Sequence, residues 1–257
     1  MIDASVYIVA CNEEHHLPRA LASLRDFAEV IVVDSGSHDR TPEIAKSFPN
    51  VTYLQHPWEC CAKQKQYALE RCTREWALNL DADEEMTPEL QAVIEQTIRD
   101  DAPDALCFPI DDIFLGHHFR SKKAKRKIRF FRRNLGTYNL TPTHFTHEQM
   151  VVHGTVRSVS AGLNHYGLVS IEKMVEKNNL YSSLKAKEKA VAGKRFSLLK
   201  LIAVFPLVMW KKLLLQGALF DGVPGLIAAT TAAYYAFLKE AKLYELECRQ
   251  AKGAGDE

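Results

Sequence analysis

Over its first hundred residues the chain alternates short apolar, β-branched runs with helical stretches, and this rhythm limits the fold more than any other feature. Residues 5–10 read as a buried strand, and Leu17, Leu21, Leu24 and Phe27 then mark the apolar stripe of a helix. Residues 30–33 form a second strand that closes on Asp34-Ser35-Gly36-Ser37, and Thr41-Pro42-Glu43 opens another helix. A third strand at 51–54, a helix at 62–72, a fourth strand at 76–80 and a helix at 88–99 continue the pattern. Such alternation predicts an α/β, doubly wound, parallel sheet. Ligands of these sheets bind at the carboxyl ends of the strands. Asn12, Asp34 and Asp81 each lie just past a strand, so they are expected around one crevice.

After Asp104 the rhythm changes. Residues 105–110 predict a strand, 120–133 are strongly basic, and irregular strand-like pieces run to about residue 168. From 170 to 250 the pattern is helical, with interruptions expected at Gly193, Pro206, Gly217 and 221–225. The expected organisation is a domain at 1–169, with halves at 1–104 and 105–169, a helical segment at 170–250 and a tail at 251–257. A content of 47% hydrophobic and 25% charged residues suits a globular protein with a real core. A formal net charge of +1 lacks the electrostatic mark of a nucleic-acid binder, so no nucleic acid is expected as partner. The six cysteines show no zinc spacing, and a reducing, cytoplasmic compartment is the simplest reading. The first five residues carry no basic region or cleavage site of a signal peptide.

The run Ala77-Leu78-Asn79-Leu80-Asp81-Ala82-Asp83-Glu84-Glu85 is an apolar strand ending in carboxylates. In extended geometry Asp81 and Asp83 would point the same way. Two unit charges about 4 Å apart repel by about 4 kcal/mol at an effective dielectric near 20. Holding such a pair together calls for a cation, and oxygen ligands favour Mg²⁺ or Mn²⁺. The same segment also reads as a helix start, with Thr87 as N-cap, Pro88 in the first turn and Glu89 favoured by the dipole.

The ordered set Asn12-Glu13-Glu14, Val32-Val33-Asp34-Ser35-Gly36-Ser37-His38-Asp39 and Leu80-Asp81-Ala82-Asp83-Glu84 resembles the family 2 glycosyltransferases, over about the first two thirds of the chain. Gln64-Lys65-Gln66-Tyr67-Ala68-Leu69, Thr146-His147-Glu148, His165-Tyr166 and Leu219-Phe220-Asp221-Gly222 are similar to its lipopolysaccharide core-assembly branch, notably the heptosyl-lipid glucosyltransferases. The resemblance implies a GT-A fold: a Rossmann-like nucleotide-diphospho-sugar transferase with a mostly parallel sheet, here followed by a C-terminal helical appendage. It implies that Asp34 reads the uracil of a UDP-sugar, with Asn12 and Glu13 beside base and ribose; the imide N–H of uracil suits a carboxylate acceptor. Asp-Ser-Gly-Ser is equally good turn chemistry without a ligand, and Glu13 also suits a helix first turn.

By the same resemblance Asp83 is the principal metal ligand, and Asp81 touches ribose or water on the ion. Lys65 either meets a phosphate or stands as a solvated helix lysine. His165 is either a late metal ligand or a structural histidine. The acidic pair that usually supplies the base is altered here to Thr146-His147-Glu148-Gln149, so Glu148 takes the role, with His147 its rival. The implied reaction is inverting transfer of a hexose, with glucose favoured, from a UDP-sugar to a heptose of the lipid-linked inner core. Transfer to a polyprenyl phosphate and a catalytically silent sugar-nucleotide binder are the alternatives.

The run Arg120-Ser121-Lys122-Lys123-Ala124-Lys125-Arg126-Lys127, continuing to Arg129, Arg132 and Arg133, reads either as a solvated loop or as a surface for the phosphates of a glycolipid acceptor. The apolar segment 196–212 has basic flanks and no uninterrupted run long enough to span a bilayer. It predicts helices lying in the headgroup region at the cytoplasmic membrane surface. A helical cap or a homo-oligomer interface is the other reading.

Overall fold

The computed structural model describes residues 1–119, 125–139, 150–168 and 170–253. Four parallel strands open the chain: β1 (Ile2–Ala10), β2 (Phe27–Asp34), β3 (Val51–Gln55) and β4 (Trp76–Asn79). They lie in the order β3-β2-β1-β4, so the first strand is central. Helices α1 (Leu17–Ala22), α2 (Thr41–Lys46) and α3 (Cys61–Glu70) make the crossovers. Strand β1 is apolar on both faces, as a strand covered on both sides must be. Val6, Ile8, Val30 and Val32 face a core shared with Leu17 and Leu21 of α1 and Ala45 of α2. Tyr7, Ile31 and Val33 point the other way, onto Ala68 and Leu69 of α3.

The second half of the sheet is mixed. β5 (Glu84–Met86) and α4 (Pro88–Asp100) follow the acidic run, and β6 (Ala105–Phe114) leads to the short β7 (His117–His118). β8 (Lys125–Arg132) inserts antiparallel between β4 and β6. β9 (Gly136–Tyr138) and β10 (Met150–Val152) form a separate pair, while β11 (Val156–Ser158) flanks β6. β12 (Leu163–Leu168) lies beside β6 and pairs antiparallel with β5, completing the order β3-β2-β1-β4-β8-β6-β12-β5. This is the doubly wound GT-A arrangement, parallel in its first half. The N-cap reading of Thr87 holds, its hydroxyl accepting from the Leu90 amide at 3.2 Å. The predicted stripe of α1 is buried throughout, but the helix stops at Ala22 and Phe27 opens β2.

Two compact units are present: residues 1–111 with 124–167, and 112–123 with 168–257. The second is built on α5 (Ile171–Val191), α6 (Leu198–Trp210) and α7 (Gly222–Gly253). Lys242 ties α7 to α5 through the Asn179 carbonyl at 2.6 Å and the Ser182 hydroxyl at 2.8 Å. Breaks fall at Gly193 and Gly217 as predicted, but Pro206 lies inside α6 rather than ending it. The ladder widens further on, where Lys211–Leu215 form a π-helical turn closed by the Gln216 amide on the Lys211 carbonyl at 2.9 Å. The bend before α7 is tight, because a Cβ on Gly225 would fall 1.9 Å from the Ala218 carbonyl oxygen. α6 buries none of its residues despite its apolar sequence. Among the described residues no helix is long and apolar enough to cross a membrane.

Candidate active site

Strands β2, β1 and β4 end side by side, with Ala10 paired to Asp34 and Tyr7 to Asn79, so the loops that follow share one edge of the sheet. Asn12 takes a left-handed conformation, φ 56°, that asparagine tolerates better than most residues. Its amide donates to Ser37 Oγ, and its Oδ1 accepts from the His38 amide, each at 2.9 Å. The Glu13 amide donates to Thr41 Oγ1 at 2.8 Å, and its carboxylate lies 2.7 Å from His16 Nδ1. Asp34 is fully buried. Its Oδ1 accepts from the Gly36 and Ser37 amides and the Ser37 hydroxyl at 3.1, 2.9 and 2.7 Å, and its Oδ2 from the Tyr53 hydroxyl at 2.6 Å. The turn chemistry that Asp-Ser-Gly-Ser suggested is therefore present through Oδ1, while Oδ2 is taken by Tyr53 of β3. Burial and the Asp34 hydrogen bond push the Tyr53 phenol up to about 12.

The acidic run does not continue as a strand. β4 ends at Asn79, and residues 81–84 make a turn in which the Glu84 amide meets the Asp81 carbonyl at 3.0 Å and the Asp81 amide meets Glu84 Oε2 at 2.8 Å. The extended geometry expected to aim Asp81 and Asp83 together is thus replaced, and the two take different partners. Lys65 Nζ lies 2.7 Å from Asp81 Oδ1, and Arg129 Nη2 lies 2.8 Å from Asp81 Oδ2. Arg129 also reaches Glu84 Oε1 at 3.3 Å and donates to Asn79 Oδ1. Lys65 and Arg129 are both buried, which removes the solvated-lysine reading of Lys65. Burial works to raise the Asp81 pKa, but the charges of Arg129 and Lys65 overcome it and hold the carboxyl well below its usual range. Glu84 moves the other way: burial raises it and outweighs the help of Arg129.

Asp83 turns toward β12. The register of β5 and β12 sets His165 opposite Glu84, and the Tyr166 amide donates to the Asp83 carbonyl at 2.8 Å. His165 Nε2 then stands 3.3 Å from Asp83 Oδ2. Gly167 leaves the space where they meet, since a Cβ there would lie 2.6 Å from each of those two atoms. Among the described residues no three His, Cys, Asp or Glu side chains gather as a metal site. A carboxylate oxygen and an imidazole nitrogen over a glycine nonetheless fit an ion that takes its remaining ligands from substrate phosphates and water.

His147 and Glu148 lie outside the described residues. The basic run divides: Lys125 and Lys127 are exposed, whereas Arg129 is buried and Arg132 pairs with Asp101 at 2.6 Å and Asp104 at 3.1 Å. Tyr53 and Gly167 were not singled out from the sequence, Arg129 was read only as part of the basic run, and Glu84 only as part of the acidic one. Arg129 had a readable signal, being enclosed by Ile128 and Phe130-Phe131 in what is a core strand.

The family model of glycosyl transferase family 2 matches residues 5–176. The chain belongs to the family 2 glycosyltransferases. It is 32% identical to the lipopolysaccharide core biosynthesis glycosyltransferase LpsC of Rhizobium meliloti, over 96% of this chain and 94% of that one. An uncharacterized glycosyltransferase of Rickettsia typhi is 31% identical over 95% of this chain and 88% of its own length. Among solved structures, S. aureus TarS 1–349 covers 90% of this chain and 89% of that chain at a TM-score of 0.48 and 15% identity, too remote to inform donor or acceptor.

Proposed function

We propose that this chain is an inverting glycosyltransferase that moves a hexose, glucose, from a UDP-sugar to a heptose of the lipid-linked lipopolysaccharide inner core. The convergence of Asp83 and His165 at 3.3 Å over Gly167, beside the Asp81–Lys65 pair, carries the reading. Likeness to LpsC along nearly the whole chain supports the acceptor class.

In this reading the loop held by Asp34 and Asn12 forms the seat of the nucleoside, and Lys65 stands near its phosphates. Asp83 and His165 would hold Mg²⁺ or Mn²⁺, which when bound supplies Lewis-acid neutralisation of the leaving diphosphate. Glu148, or His147 in its place, takes the proton from the acceptor hydroxyl. That oxygen forms its bond to the anomeric carbon as the bond to the diphosphate breaks, inverting the centre. The chain works at the inner face of the cytoplasmic membrane, with the exposed face of α6 toward lipid. Labelled UDP-glucose should mark a heptosylated core glycolipid and leave a polyprenyl phosphate unlabelled. Label appearing only in the polyprenyl product, or only with a GDP- or dTDP-sugar, would overturn the assignment.

A further inference from the structure

The helical unit carries a half-open cavity of about 310 Å³, lined by residues of that unit alone. Phe119, Met174 and Ala232 give it apolar walls, Asn178, Gln216 and Thr231 add polar groups, and Lys212 is the cation in its lining. The space exists because α7 presents alanines where larger side chains would close it. Lys212 belongs to the π-helical turn Lys211–Leu215, a widening of the helix that recurs at functional sites. A cavity of this size with apolar walls and few polar groups has the character of a small-ligand site. Apolar walls with a cation and a few polar side chains beside them match an amphiphile, whose chain and head need one of each.

The surroundings point to lipid. Leu214, Leu215, Leu219 and Phe220, in the same stretch as Lys212, are each more than half exposed. Between residues 194 and 226 there are five cations, Lys194, Arg195, Lys200, Lys211 and Lys212, and one acid, Asp221, which is buried. An anionic lipid surface complements that charge, whereas a second copy of the same face would bring cations against cations.

We propose that this cavity takes one hydrocarbon chain of an anionic lipid, with its charged head at Lys212. The inference deepens the lipid-linked acceptor reading and rests on it for one point, the identity of the lipid. The chain is supplied either by the acceptor glycolipid or by bilayer phospholipid.

The test is the thermal midpoint of the full chain with dodecyl phosphate below its micelle concentration, beside inorganic phosphate and dodecanol. A saturable rise with dodecyl phosphate and none with inorganic phosphate is expected. Ala232→Phe, which fills the cavity, should abolish that rise. Lys212→Gln, which removes the charge and keeps most of the side chain, should weaken dodecyl phosphate about tenfold and leave dodecanol unchanged. An equal response to inorganic phosphate, undiminished binding by a folded Ala232→Phe, or unchanged affinity in Lys212→Gln would overturn the proposal. Competition by phosphatidylglycerol vesicles or by heptosylated glycolipid names the source, and displacement by neither also overturns it. Transfer to an acyl-free heptose oligosaccharide, measured alongside, should survive Ala232→Phe; its absence from the wild type would sink the transferase reading and leave the cavity result standing.

Discussion

At the scale of single residues, Asp83 and His165 meet 3.3 Å apart where Gly167 carries no side chain, and the proposed function makes them donors to one ion. Gly167→Ala should force the donors apart, and a displacement of that kind costs on the order of 100-fold in turnover. Asp83→Ala should abolish transfer. Both variants should unfold in urea near the wild-type midpoint, and wild-type turnover in either would break the link between this pair and catalysis. Arg129 behaves differently, because it is buried and answers Asp81 and Glu84 together. Arg129→Met leaves Glu84 without its cation and Asp81 with Lys65 alone, and should destabilise the chain by about 3–5 kcal/mol, with Arg129→Lys recovering part. Urea denaturation measures both. The acidic run was readable as a site, but its local geometry was not. Two aspartates separated by one residue look like strand partners until a turn, set by Glu84 closing back on the Asp81 amide, sends them to different neighbours.

At the scale of elements, β9 is anchored to the central strand by the hydroxyls of Tyr138 and Tyr7, 2.7 Å apart and buried. Burial pushes the Tyr138 phenol up to about 12, and Tyr7 also lies well above its usual value. A raised folded-state pKa means that the protonated form carries the stability. That contribution is complete below about pH 10 and is lost as pH climbs toward 12, amounting to about 2.7 kcal/mol for a two-unit shift. Cys72, which burial pushes up to about 12, adds to the same decline. The urea midpoint should therefore hold steady from pH 7 to about 9 and fall beyond. A Tyr7→Phe/Tyr138→Phe double variant should flatten part of that fall, and an unchanged slope would remove the tyrosines from the account. Most elements were legible because each is signalled within a few residues: β-branched runs, Thr-Pro-Glu helix starts, glycine breaks. Pro206 shows the limit, since a proline that reads as a stop can sit inside α6, with only Ile202 four residues before it losing a partner amide.

At the scale of the whole molecule, an apolar helix without a buried residue and a cation-rich flank give the chain a surface that water alone does not satisfy. Binding to vesicles containing phosphatidylglycerol at low salt is expected, with release near 1 M salt, where charges are screened beyond about 3 Å. Equal binding to neutral vesicles would assign the attraction to the apolar face alone, and none to either would remove the membrane from the account.

By itself the sequence determined the alternating first half, the loops that follow its strand ends and membership of its family, because these rest on periodicity and short motifs that act locally. Only the tertiary structure decided which charges meet. Lys65 and Arg129 reach Asp81 from 16 and 48 positions away. Arg129 does so because β8 inserts beside β4, and Lys65 because α3 packs on the same sheet. Strand order depends on how all the apolar faces are covered at once, which no local window of the chain contains.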